Sequence, residues 1–287
     1  MNRDDRQTFP PVPLRSSVTI HATPTVVNPT PAGRLANSAY NSKVVGEIEI
    51  TFMGVGNAFA AGGACWNGFL VNRTILFETP PQVLMSVQRA GVNPNDIDIV
   101  LISHHHGDHF YGLPMLMLWW KWMGRTRPVY IIAPPESERI TRDIARETFP
   151  WLFDLTYELN WLEARPGEPI ELPGIRVLPH EMVHDETINI CLGFATEIDG
   201  RRLGYTGDTV YCPSVERLAE WSEILIAECA SVDRNPVHMD LTNDIPRVRA
   251  LLPAKSHLIL THIDPAVAAS CPLPGIVIAE DQQTYRF

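Results

Sequence analysis

The pattern of polar and apolar positions changes near residue 46. Residues 1–46 are rich in Pro, Thr, Ser and Asn and show little periodicity, the composition of an extended or disordered N-terminal arm. From residue 47 onward, short apolar runs take over. Glu47-Ile48-Glu49-Ile50-Thr51-Phe52-Met53 alternates as a strand does, and Phe69-Leu70-Val71 with Thr74-Ile75-Leu76-Phe77 predicts a hairpin. Glu78-Thr79-Pro80-Pro81 then introduces a helix ending near Gly91. Ile97-Asp98-Ile99-Val100-Leu101-Ile102 reads as a buried strand, and Leu113 to Met123 as a very apolar helix. Val129–Ala133 predicts a strand, Ser137–Thr148 a helix of mixed charge, and Gly174–Leu178 a strand leading to His180 and His184. Cys191–Glu197 and Arg201–Thr206 flank Asp199-Gly200, a hairpin turn. Glu223–Glu228 and His257–His262 close the series. Short strands alternating with helices, without a repeat, predict one α/β layered domain over residues 47–287.

Composition narrows the class. A chain of 287 residues with 45% hydrophobic and 20% charged residues has ample material for a core. Its net charge of −10, from 23 basic and 33 acidic residues, disfavours broad contact with nucleic acid or an anionic membrane, because neutralising phosphates needs Lys and Arg. Cys65, Cys191, Cys212, Cys229 and Cys271 are odd in number and form no C-x-x-C, which predicts thiols in a reducing compartment. Met1-Asn2-Arg3-Asp4-Asp5-Arg6 leads into no apolar h-region, and no run approaches the roughly 18 apolar residues of a membrane span. The expected location is the cytoplasm.

The chemistry concentrates in Ser103-His104-His105-His106-Gly107-Asp108-His109. This segment leaves the carboxyl end of a predicted strand, where α/β sheets place their sites, and at once presents four histidines and an aspartate, good donors for zinc, manganese or iron. Four separate apolar runs end in a ligand-type residue: His104 and His106, Asp208, Glu228, and His262. That shared position predicts one cleft. Two weaker signals accompany it. Gly54-Val55-Gly56 follows a strand but lacks the third glycine and the helix of a nucleotide fingerprint. Trp119, Trp120 and Trp122 lie shortly after the histidines, on a stripe that is core material or else lines a substrate pocket or a homodimer face. His21 in the arm has no partner in the pattern.

His104-x-His106-x-Asp108-His109 resembles the signature of the metallo-β-lactamase fold superfamily, and Gly207-Asp208-Thr209 and Leu260-Thr261-His262 resemble its later motifs in order. The likeness covers roughly residues 48–265 and is greatest to the ribonuclease Z-like and phosphodiesterase branch. It implies an α/β fold of the αββα four-layer type. It also implies two divalent ions, zinc foremost, with manganese or iron as alternatives. One ion would take His104, His106 and His184, the other Asp108, His109 and His262, with Asp208 between them. His180 is the rival to His184, which stands shortly before the Gly-aromatic strand matched by Gly193-Phe194. Two ions about 3.5–4 Å apart can share a hydroxide at neutral pH and hold the oxygen on which charge develops.

The same resemblance carries catalytic roles to Asp108, His238 and Glu228. The branch has a histidine about two dozen residues before the final ligand, and His238 stands 24 before His262. There it assists the leaving group beside an acid matched by Glu228. His105 is expected to point away and His257 to be structural. The chain departs from the family at Glu78, where many members have Asp, and in the short interval of residues 185–207, which has no room for a tRNA-gripping arm. The expectation is a dinuclear metal-dependent hydrolase of small phosphodiesters. The alternatives are an ester, thioester or lactone hydrolase on the same ions, or a non-catalytic metal-binding protein.

Overall fold

A computed structural model describes residues 46–188, 190–271 and 273–287. The expected arm, apart from Gly46, and His21 lie outside the described residues. Six strands come first: β1 (Glu49–Gly54), β2 (Gly68–Val71), β3 (Ile75–Phe77), β4 (Ile99–Leu101), β5 (Val129–Ala133) and β6 (Leu159–Glu163). Eight follow: β7 (Ile170–Leu172), β8 (Ile175–Met182), β9 (Cys191–Ile198), β10 (Arg201–Tyr205), β11 (Ile224–Glu228), β12 (His257–Thr261), β13 (Ile276–Ile278) and β14 (Thr284–Arg286). They form two seven-stranded sheets, β14-β1-β2-β3-β4-β5-β6 and β13-β12-β11-β10-β9-β8-β7. The helices are α1 (Val83–Arg89), α2 (Gly107–Phe110), α3 (Leu113–Trp122), α4 (Ser137–Thr148), α5 (Pro213–Trp221), α6 (Asp244–Leu251) and α7 (Pro265–Ser270).

The layering follows from the period-two alternation of a strand. Phe52, Phe69, Phe77, Leu101 and Ile132 enter the core that also holds Val177, Phe194, Tyr205 and Ile226 of the second sheet. Their neighbours Met53, Leu70, Leu76, Val100 and Ile131 face the other way, onto Val83 and Val87 of α1 and Leu116, Met117 and Trp120 of α3. Phe69 and Phe77 stack at 4.5 Å, and Tyr205 meets both rings edge-on, at 5.2 and 5.8 Å. On the far side α5 packs on β8, β9 and β10 and on α6. The fold is the expected αββα sandwich. No helix among the described residues is long and apolar enough to cross a membrane.

The Gly54-Val55-Gly56 loop has a packing role. A Cβ on Gly54 would lie 2.0 Å from the carbonyl oxygen of Trp66, so glycine here lets two backbone segments touch. Gly54→Ala is expected to destabilise the protein by roughly 1–3 kcal/mol through overpacking. It should lower the urea midpoint at constant m; an unchanged midpoint would contradict the close approach.

Candidate metal centre

Parallel pairing brings the predicted strand ends together. β3 to β6 run parallel, as do β10 to β13. β8 and β10 both pair antiparallel with β9 and therefore point the same way. The carboxyl ends of β4, β8, β10, β11 and β12 thus gather along one edge of the sandwich, carrying His104 to His109, His184, Asp208, Glu228 and His262. A hydrogen bond from Leu192 N to Ser103 O, 3.0 Å, ties the two sheets together there.

Asp208 stands at the middle of the cluster. Its Oδ2 lies 3.3 Å from both His109 Nε2 and His262 Nε2, 3.8 Å from His184 Nε2 and 4.0 Å from His104 Nε2. Asp108 Oδ2 lies 3.3 Å from His109 Nε2 and 3.4 Å from His262 Nε2. Ligand atoms within 4.8 Å of one another group as His104, His106 and His184, and again as Asp108, His109 and His262. His104, His109 and Asp208 make a third such group. His104 Nε2, His109 Nε2 and Asp208 Oδ1 are buried without a hydrogen-bond partner. Buried polar atoms left unpaired are costly, and hard, converging N and O donors suit divalent cations. The residues fit a metal site.

Three of the imidazoles have a polar partner behind them. His104 Nδ1 hydrogen-bonds Ser103 Oγ at 2.8 Å, His184 Nδ1 donates to Val237 O at 2.8 Å, and Glu78 Oε1 stands 3.5 Å from His109 Nδ1. Such outer partners fix the tautomer and orientation of a ligand. Glu78 also accepts from Ser103 N at 3.2 Å. Glu78 and His262 adopt positive φ, 66° and 52°, a conformation that costs roughly 1–3 kcal/mol in a non-glycine residue and collects at functional sites.

The electrostatics match this packing. Burial pushes His104 well below the usual imidazole range, and the charge of His109 adds to the effect. Burial opposes protonation of His109 too, but the charges of Asp208 and then Glu78 outweigh it and raise that group. For Asp208 burial is likewise the largest influence, yet the charges of His109 and His262 hold the carboxyl well below its ordinary value.

His238 lies beside the cluster, its ring 4.8 Å from His184 and 5.3 Å from His262. Its Nδ1 donates to Glu228 Oε1 at 2.9 Å. The fully buried Glu228 also accepts from the amides of Thr209 (3.0 Å), Met239 (3.4 Å) and Ala230 (3.0 Å). Burial acts against protonation of His238, but the hydrogen bond and charge of Glu228 prevail and raise its pKa to about 9.

Other expected residues fall as follows. His184, not His180, joins the cluster: β8 continues through His180, which pairs with Gly193 and lines a small cavity beside Arg217. His105 turns away, with Nε2 2.7 Å from Ser137 Oγ and its ring against Phe110. His257 opens β12 against Phe287. Of the expected readings of the tryptophan helix, core holds for Trp120, and none of its three tryptophans stands at the cluster. Trp120 is buried and donates from Nε1 to Pro94 O at 2.8 Å, and Pro94 precedes β4 rather than following it. The last turns of α3 therefore sit at the opposite end of the sheet from His104. Trp119 packs on the outer core, and the exposed Trp122 meets Trp151 at 5.7 Å.

A profile of the beta-lactamase superfamily domain matches residues 73–263, and the chain belongs to that superfamily, with the metallo-β-lactamase fold. Ribonuclease Z of Methanosarcina acetivorans is 30% identical over 142 residues, 48% of this chain and 45% of that protein, so this match spans less than half of the relative's length. Ribonuclease Z of Aeropyrum pernix is 26% identical over 274 residues, 76% of this chain and 88% of its own. Among solved structures, the metallo-beta-lactamase fold protein YhfI from Bacillus subtilis aligns with a TM-score of 0.68 at 18% identity, covering 84% of this chain and 99% of that one. A diphosphatase of the PhnP family aligns with a TM-score of 0.66 at 20% identity, covering 84% and 98%. At these identities the two structures speak for the fold alone.

Proposed function

We propose that the protein is a dinuclear metal-dependent hydrolase of small phosphodiesters. The observation that carries this reading is the His238–Glu228 pair at the edge of the His/Asp cluster. Ester, thioester and lactone hydrolysis would need the metals, but it has less use for a general acid beside them. The name of the sequence relatives, ribonuclease Z, also favours phosphorus over carbon as the attacked centre.

In this reading His104, His106 and His184 would hold one ion and Asp108, His109 and His262 the other, with Asp208 placed to serve both and zinc the favoured metal. The two cations would supply Lewis acidity and a water of lowered pKa. The chain's own residues do the rest. Ser103, Glu78 and the Val237 carbonyl hold the imidazoles in place. His238, protonated on both nitrogens and anchored by Glu228 through Nδ1, passes its Nε2 proton to the oxygen that leaves as the P–O bond breaks. The three amides on Glu228 keep that carboxylate in register with the ring.

Precursor tRNA is the second reading, favoured by the ribonuclease Z relatives. Two observations weigh against it. Residues 185–207 supply the β9–β10 hairpin rather than an arm, and Arg139, Arg142 and Arg146 of α4 are each paired with acids in a chain of net charge −10. Metal-loaded protein should be assayed on bis(p-nitrophenyl) phosphate, p-nitrophenyl esters, lactones and precursor tRNA across a range of salt. Diester turnover with little salt dependence and negligible tRNA cleavage is expected. Efficient tRNA cleavage, with a log–log salt slope of roughly −0.7 to −0.9 per phosphate contacted, would move the protein to the second reading. Turnover of esters or lactones alone would favour carbon chemistry, and none at full metal content a binding protein.

A further inference from the structure

His106 is turned differently from the other histidines whose outer partners are described above. His104, His109 and His184 each meet their partner through Nδ1 and present Nε2 to the cluster. His106 does the reverse. Its Nδ1 lies 3.3 Å from His184 Nε2, inside the cluster, while its Nε2 points outward to Asp185 Oδ2 at 3.1 Å. Asp185 is itself fixed, because its Oδ1 accepts from the amide and the hydroxyl of Thr187, at 2.8 and 2.7 Å. A neutral imidazole carries its proton on one nitrogen and coordinates through the other, and the partner at the protonated nitrogen decides which is which.

We infer that Asp185 is a positioning residue for His106: it keeps the proton on Nε2 and the lone pair on Nδ1, and so governs the ion held by His104, His106 and His184 but not the one at Asp108, His109 and His262. This rests on the metal reading above and adds an asymmetry to it. As an ion pair the contact would matter little, since both side chains are about a third exposed, 32% and 31%, and solvent screens such pairs. Its effect lies in the choice of tautomer. Asp185 and Thr187 belong to the short loop that also delivers His184, so one loop supplies a ligand and orients another.

The test is zinc binding followed by chelator competition and elemental analysis, on wild type, Asp185→Ala, Asp185→Glu and Thr187→Val, with circular dichroism as the check on folding. Wild type should bind two equivalents. In Asp185→Ala one equivalent should weaken by about 10–100-fold, the usual consequence of losing an outer partner, while the other stays as in wild type. Asp185→Glu should recover part of the loss. Thr187→Val, which keeps the amide but not the hydroxyl, should weaken the same equivalent less. If both equivalents bind Asp185→Ala as they bind wild type, or weaken in parallel, the inference is overturned although the metal reading stands. A wild-type protein that binds no zinc overturns both.

Discussion

His238→Ala is expected to leave the metal content unchanged and to lower kcat on an alkyl phosphodiester by about 10²–10⁴-fold. An alkoxide is a poor leaving group and needs the proton; p-nitrophenolate hardly does, so the loss should shrink on p-nitrophenyl substrates. The pH profile separates this role from a structural one. Glu228 raises His238 to about 9 against the effect of burial, so the acid form is present at neutral pH. Activity that depends on it falls as pH rises through that pKa. Two cations beside the ring would repel the proton and draw this limb below 9. On the acid side His109, raised by Asp208 and Glu78, takes up a proton in competition with a cation, so occupancy and activity fall together. Wild type should therefore give a bell, and His238→Ala should lose only the alkaline limb. A variant that loses metal instead would make His238 a ligand, an arrangement its distance from His184 and Asp208 allows.

The sequence made the strand ends legible because buried parallel strands are nearly continuous apolar runs. Whatever polar residue interrupts such a run at its carboxyl end must face the edge of the sheet. Ile97–Ile102 before the histidines and Glu223–Glu228 before Cys229 both follow this rule. The tryptophan helix leaves core and pocket undecided in the sequence for the complementary reason. An apolar stripe says which face of a helix is buried but not toward which end of the sheet the helix runs, and Trp120 settles at Pro94, before β4. His180 and His184 could not be separated by composition. The difference lies in β8 continuing to Met182, which makes His180 a strand residue and leaves His184 to the loop. Asp185, Ser103 and the Val237 carbonyl gave no signal, since an outer partner is defined by the angle at which a loop returns. At Glu78 the sequence shows only a departure from Asp. Its left-handed backbone is the feature that brings the longer side chain back to His109, and a side-chain pattern does not reveal a dihedral.

Asp208→Ala is expected to abolish turnover and to release the metals, with both equivalents lost or so weakened that they do not survive desalting. The reason is that, among the described residues, no other carboxylate can take its place. Asp108 reaches only His109 and His262, Asp185 is engaged by His106 and Thr187, and Glu228 is committed to three amides and His238. Among the described residues Asp208 alone puts one oxygen within 4.0 Å of four imidazoles. Without it, two cations would face each other across neutral rings in a largely buried site, where their repulsion is less screened than in water. A metal contributes several kcal/mol to a transition state of this kind. At about 1.4 kcal/mol per decade, its loss should lower the rate by roughly 10³-fold or more, beyond the effect of His238→Ala on any substrate that needs little acid assistance. The measurements are elemental analysis and single-turnover rates on protein whose circular dichroism matches wild type. An Asp208→Ala protein that keeps two tightly held equivalents would show that the ions are not joined through this residue, and the dinuclear reading would have to be given up.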